Sequence, residues 1–169
     1  MGLSVKYSTK KDGLREMKKR LENLNGSGVE AGVLRGESKW LAAIHEYGLD
    51  IEVTPAMRAY LHRNGLHLKK STTHIHIPER SFLRTGYDTN KDAILKKARA
   101  LLADVAAGRM SESALYDGVG TELASAIKDY AVELRIPANH PFTIDRKGSS
   151  NPLVSTGDMV EGITWRKTE

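Results

Sequence analysis

The sequence predicts an α+β fold, a small, mainly antiparallel sheet packed against several helices. Three observations carry that prediction. Apolar residues recur at helical spacing in long stretches, the clearest running from Ile94 to Val105 and from Leu115 to Leu134. Short alternating stretches stand apart from them, at Val29–Val33, Thr72–Ile77 and Ile163–Arg166. Glycine, asparagine and proline clusters separate the two kinds of pattern. A chain of 169 residues is long enough for one compact core, so residues 1–169 read as a single domain.

The elements follow in order. Residues 9–24 read as a first helix, opened by a Thr9–Asp12 capping box and striped by Leu14, Met17, Leu21 and Leu24. Its other face carries Lys10, Lys11, Arg15, Lys18, Lys19 and Arg20. These are candidate contacts to DNA or a partner, although such a run is more often a solvated surface. After the break at 25–28, Val29, Ala31 and Val33 share one face of a short strand. Ser38 is a candidate N-cap for a helix over 38–47, with Trp40, Leu41, Ile44 and Tyr47 as its apolar stripe and Gly48 closing it. Residues 49–77 read as a β-hairpin or extended arm. Ile51–Val53 is one strand, Pro55–His62 a short helix, and Leu68–Ile77 a second strand, with Asn64-Gly65 near the turn. Pro78 suits the first turn of a helix.

A clearer helix is predicted to open at the Thr89–Asp92 capping box, with Ile94, Ala98, Leu101, Leu102 and Val105 as its core stripe, and to stop near Gly108. Another runs over 111–134, with Leu115, Val119, Leu123, Ala126, Ile127, Tyr130 and Leu134 on one side and Gly118 and Gly120 as interruptions. Residues 143–152 read as a flexible loop region. Within it Thr143–Lys147 has strand character, and Lys147–Ser150 is a basic loop that either touches a phosphate or is merely solvated. Ser155 with Asp158 opens a last short helix, and Ile163–Arg166 closes the sheet.

Several chemistries are excluded or weakened. The chain has no cysteine, so disulfides, thiolate catalysis and cysteine zinc sites are out. That suits a reducing cytoplasm. No apolar leader region or membrane-length apolar run occurs, so the expectation is a soluble, cytoplasmic product. A net charge of +5 permits nucleic acid or an acidic partner without requiring either. Only 6% of residues are aromatic, too few for a base-stacking platform. Phosphate-cradling glycine motifs and a G-x-S-x-G elbow are absent.

His45-Glu46 opens like the zincin motif H-E-x-x-H, but Leu49 stands where the second histidine is needed. A structural reading is simpler. His45 lies in a last helical turn, where a partly positive imidazole favours the dipole, and Glu46 pairs with a basic group elsewhere. His74 and His76 share a strand face and could hold a metal, yet the third ligand is missing. No metal, no cofactor and no catalytic residue is assigned.

Three stretches, taken in order, carry a resemblance. They are Ala42-Ala43-Ile44-His45-Glu46-Tyr47-Gly48; Ile77-Pro78-Glu79-Arg80-Ser81-Phe82-Leu83-Arg84; and Asn151-Pro152-Leu153-Val154-Ser155-Thr156-Gly157-Asp158-Met159 running into Gly162-Ile163-Thr164-Trp165. The set resembles the neck and tail-completion proteins of long-tailed bacteriophages, a family also described as virion morphogenesis or minor tail proteins. The patterns concerned are A-x-x-H-E-[FY]-G, I-P-x-R-x-F-[LM]-R and P-L-x-x-T-G-x-[LM]-x-x-S-I. The likeness spans nearly the whole chain. The segment between Gly48 and Ile77 is longer than in simpler relatives, and Gly162 replaces the usual small polar residue.

The resemblance implies a structural, non-enzymatic virion protein at the head–tail junction. It implies ring formation, expected to be hexameric, and docking to other neck, tail-tube, tail-terminator or head-completion proteins. Phage DNA would pass through the lumen, assembly would take place in the host cytoplasm, and no membrane is involved. It also implies that Ala43, His45, Glu46, Tyr47, Gly48, Pro78, Arg80, Phe82, Leu83, Arg84, Pro152, Leu153, Thr156, Gly157, Ile163 and Trp165 are mainly fold determinants. Within that set, Glu46 is expected to pair with Arg80 or Arg84. Two rival readings are a nucleic-acid-binding module using the basic first helix, and a metal-dependent hydrolase using His45, Glu46, His74 and His76.

Overall fold

Two antiparallel ladders and seven helices make up the fold described by the computed structural model, which covers residues 11–36 and 38–169. In chain order these are α1 (Lys11–Asn23), β1 (Gly28–Val33), α2 (Ser38–Tyr47), β2 (Leu49–Glu52), α3 (Pro55–Arg63), β3 (His74–Ile77), α4 (Phe82–Ala106), α5 (Glu112–Glu133), α6 (Pro141–Lys147), α7 (Asp158–Glu161) and β4 (Ile163–Thr168). The fold is α+β, but its strands form two separate pairs, β1 with β4 and β2 with β3.

The body is the β1–β4 ladder with α5 laid over it and α4 packed along α5. Its register sets Val33 opposite Ile163 and Gly28 opposite Thr168. Period-two alternation then works as expected. Ala31 and Val33 pack into the main core with Phe82, Ile127, Leu153, Met159 and Ile163, while Val29 joins a smaller cluster around Val105, Leu115 and Tyr116. Trp165 touches both clusters. Its indole lies so close to α5 that a Cβ at residue 120 would clash with the ring, so that position takes glycine. Gly118 and Gly120 therefore do not interrupt α5, which runs through both with Ser111 capping its first turn at Ala114 N–H.

Several elements depart from expectation. The Thr9–Asp12 capping box lies outside the described residues. Ser38 is the first residue of α2 and not its cap. On α2 the expected apolar stripe is turned outward: Trp40 is 69% and Tyr47 68% exposed, Leu41 is also exposed, and Ala42 and Glu46 are buried instead. The long helix begins at Phe82, seven residues before Thr89, so Thr89 and Asp92 lie inside it. Of its predicted stripe Ile94 and Val105 are buried, whereas Leu102 is exposed.

The second strand of the arm is only His74–Ile77, and Asn64 caps α3 rather than turning a hairpin. Thr143–Lys147 is helical, not a strand. His140 accepts from Phe142 N–H, Pro141 takes the first turn, and Gly148 stops the helix in a left-handed conformation. Gly157, not Ser155, holds the N-cap position of the last short helix, which has no side-chain cap bond.

Candidate functional site

Around Glu46 and Arg80 the three motif stretches meet. α2 supplies His45 and Glu46 from its last turn. The segment 78–84 supplies Arg80 and the first turn of α4. The loop 148–154 approaches from the far side, bridged by residues 137–139.

Glu46 is 1% exposed and caps a helix 37 residues further along the chain. Its Oε2 accepts from Leu83 N–H at 2.8 Å, and its Oε1 from Arg84 N–H at 3.2 Å and Arg84 Nε at 2.8 Å. The first-turn amides of a helix have no partner within it and carry its positive end. A buried carboxylate answers both needs. Ser81 holds the N-cap position, but its hydroxyl turns to Thr85. Arg84 bonds the Glu46 carbonyl at 3.0 Å and Glu79 at 2.6 Å, and its guanidinium lies over the Tyr47 ring. Of the two partners expected for Glu46, Arg84 is the one used.

Arg80 is 3% exposed and makes no ion pair with a described residue. Its Nε donates to the Pro137 carbonyl at 2.7 Å, and its Nη2 to Ala138 O at 3.1 Å and Asn139 Oδ1 at 3.0 Å. Its Nη1 lies 3.2 Å from His45 Nδ1. A guanidinium only donates, so His45 accepts at Nδ1 and carries its proton on Nε2. One Nη1 hydrogen is left over. The Arg80 N–H also bonds the His45 carbonyl at 2.6 Å.

Burial, with Arg80 and Lys147 nearby, pushes the His45 imidazole down to about 4. It is neutral at pH 7, which corrects the expectation of a partly positive imidazole at the helix end. Burial also lowers Arg80 and Lys147 from their usual values. Lys147 Nζ reaches the Asn151 and Pro152 carbonyls at 2.6 and 3.2 Å.

The remaining motif residues fall into place around these two charges. Gly48 has φ +73°, and a Cβ there would lie 2.9 Å from the Ile77 carbonyl. Ala43 and Leu83 are half-buried, and Phe82, Leu153 and Ile163 are in the core. Pro78 lines a cleft beside Arg80, and the Pro152 carbonyl accepts from Asn139 and Lys147. Gly157 has φ +101° at the start of α7.

Sequence reasoning missed Asn139; it placed Lys147 only on a basic loop and Asn151 only at the head of a motif stretch, without their carbonyl and amide partners. Asn151 Oδ1 accepts from Leu153 and Val154 N–H, and its Nδ2 donates to the Val132 carbonyl, so the loop is tied to α5. The Asn-Pro pair was the available signal for Asn151. No local pattern marks Asn139.

Other candidates stand apart. His74 turns to Thr73 and His76 to Asp50, out on the arm, so His45, Glu46, His74 and His76 do not form one donor set. Among the described residues no group of three potential ligands could share a metal. On α1, Lys18 pairs with Glu22, and Arg20 pairs with Glu16 and reaches the Ala106 carbonyl; Arg15 and Lys19 are exposed. Lys10 and the Lys11 side chain lie outside the described residues. No described helix is long and apolar enough to cross a membrane. No family model matches this chain, and neither does any curated protein or solved structure.

Proposed function

We propose that this chain is a structural virion protein of a long-tailed bacteriophage, acting at the neck or tail top in tail completion and head–tail joining, by ring formation and partner docking. It acts without catalysis, inside the host cytoplasm during assembly and then in the virion. The observation that carries this reading is the convergence of the three motif stretches on one buried hub. Residues 42–48, 77–84 and 151–165 resemble the family only as an ordered set; the first two are hydrogen-bonded directly, and the third joins them through Asn139 and by packing in the shared core. The charges of that unit hold elements together, which is the work of a scaffold.

The test is the mass of the purified protein by light scattering, with negative-stain images of the same sample. Closed rings near six times the 18.7 kDa chain, with a central hole, support the reading. A monomer that also fails to bind isolated tail tubes sinks it.

A second reading, nucleic-acid binding through α1, is favoured by the exposed Arg15 and Lys19 on one helix. It predicts affinity for duplex DNA that falls steeply with salt.

A further inference from the structure

Glu46 and Arg80, the two buried charges of the hub, are not balanced alike. Glu46 is fully occupied by Arg84 and the start of α4. Arg80 is left with three neutral oxygens, an imidazole and one unused hydrogen. Lys147 adds a second cation within electrostatic reach. A guanidinium removed from water without a counter-charge is costly and favours an incoming anion.

Beside Arg80 lies an open cleft of about 600 Å³. Its walls are apolar: Leu41 and Ile44 from α2, Ile75 and Ile77 from β3, and Pro78. Its far rim is the 138–143 segment, with His140 and Thr143. Consecutive strand residues face opposite ways, yet Ile75, His76 and Ile77 all line the cleft. The cleft therefore meets β3 along its edge.

That edge is free. Val53 N–H donates to Thr73 O at 2.8 Å, one step beyond the Glu52–His74 pair. Bonded and non-bonded pairs alternate in an antiparallel ladder, so Ile51–Ile75 and Leu49–Ile77 are the bonded pairs. The N–H and C=O groups of His74 and His76 thus point away from β2, and no described backbone group takes them up.

We propose that this cleft receives an extended segment of another protein, which pairs with the open edge of β3 and sets an aspartate or glutamate against Arg80 between apolar residues. Strand addition supplies backbone hydrogen bonds without demanding sequence. The apolar walls and the unbalanced guanidinium supply the selectivity. The proposal goes beyond the neck reading and stands without it, since the cleft has the same chemistry in a ring subunit and in a monomer. A ring experiment and a peptide-binding experiment fail separately.

The probe is a ribosome-displayed pool of random short peptides, selected on the full chain. Enriched peptides are expected to share one acidic residue flanked by apolar ones. They should bind at least about tenfold more weakly to Leu41→Glu and to Thr143→Glu, since a like charge beside the incoming carboxylate repels it. Both positions are exposed, so the fold should be unaffected. Leu41→Gln and Thr143→Gln should lose much less. Amide exchange at His74 and His76 should slow in the complex. Failure to enrich, binders without a carboxylate, or binders indifferent to the two glutamates would each overturn the proposal. So would self-association of the unmodified chain that Leu41→Glu abolishes, since the occupant would then be a second copy.

Discussion

The hub and the arm are neighbours in the chain and opposites in how they are held. Between Leu49 and Ile77 no residue is buried. Glu46, just before that stretch, and Arg80, just after it, are among the most buried side chains. Each region is organised by an arginine laid across backbone carbonyls. Arg80 reaches Pro137 and Ala138 across a gap of nearly sixty positions. Arg58 reaches Lys69 at 2.9 Å and Thr72 at 2.6 Å within its own arm. The comparison shows that the same chemistry does different work according to burial. In the hub a lost hydrogen bond strands a desolvated group, whereas in the arm water replaces it.

The sharpest way to break the comparison is Glu46→Ala. It strands the Leu83 and Arg84 amides while Arg84 keeps Glu79, so a loss of about 3–4 kcal/mol is expected from the two amides, read from denaturant unfolding. A loss under about 1 kcal/mol would show that the cap is not structural. Arg80→Met comes next. It leaves several carbonyls short of donors but also removes a costly buried charge, so the expected loss is about 2–3 kcal/mol.

The pH response is smaller. His45 sits at about 4 in the fold and 6.5 when unfolded, so the unfolded chain takes the proton first. Its contribution is complete above about pH 6.5 and falls away as the pH drops toward 4. The loss should be on the order of 1–2 kcal/mol after allowing for solvent at the cleft side. His45→Asn keeps an acceptor for Arg80 and should flatten that slope in a series of unfolding curves at different pH.

Least affected should be the arm. Arg58→Met is expected to change global stability by under about 0.5 kcal/mol, while hydrogen exchange quickens across 66–73. Replacing residues 54–72 by Asn-Gly joins the bonded pair Val53 and Thr73 through a two-residue turn. The body should keep its unfolding midpoint. A midpoint lowered as far as by Glu46→Ala would erase the distinction between the regions.

What the sequence reveals follows the same division. α5 is legible because its core stripe and its Ser111 cap are local. β1 and β4 are legible because alternation survives in short strands. The start of α4 is hidden because its cap is Glu46, far upstream, while Thr89 and Asp92 imitate a cap within the helix. The face of α2 is misjudged for a related reason. Periodicity places Trp40 and Tyr47 inside and a glutamate outside, and only long-range partners reverse that for Glu46. For α6, the β-branched Thr143 and Ile144 suggest a strand, although Pro141 and Gly148 already bracket a helix. Of the hub, the pairing of Glu46 with an arginine could be anticipated. The neutrality of His45 and the part played by Asn139 could not, since both depend on burial.

The pairing of β1 with β4 also governs how this protein is made. β1 leaves the ribosome early and then waits for a partner near the other end of the described chain. In the meantime its edge is open, and the main core lacks Ile163 and Trp165. The α4–α5 hairpin is local in sequence and can form during that wait. The body closes only after residues 163–168 have emerged, so a chain stopped before Ile163 carries an unpaired strand and an unfinished core, the features that chaperones and proteases act on.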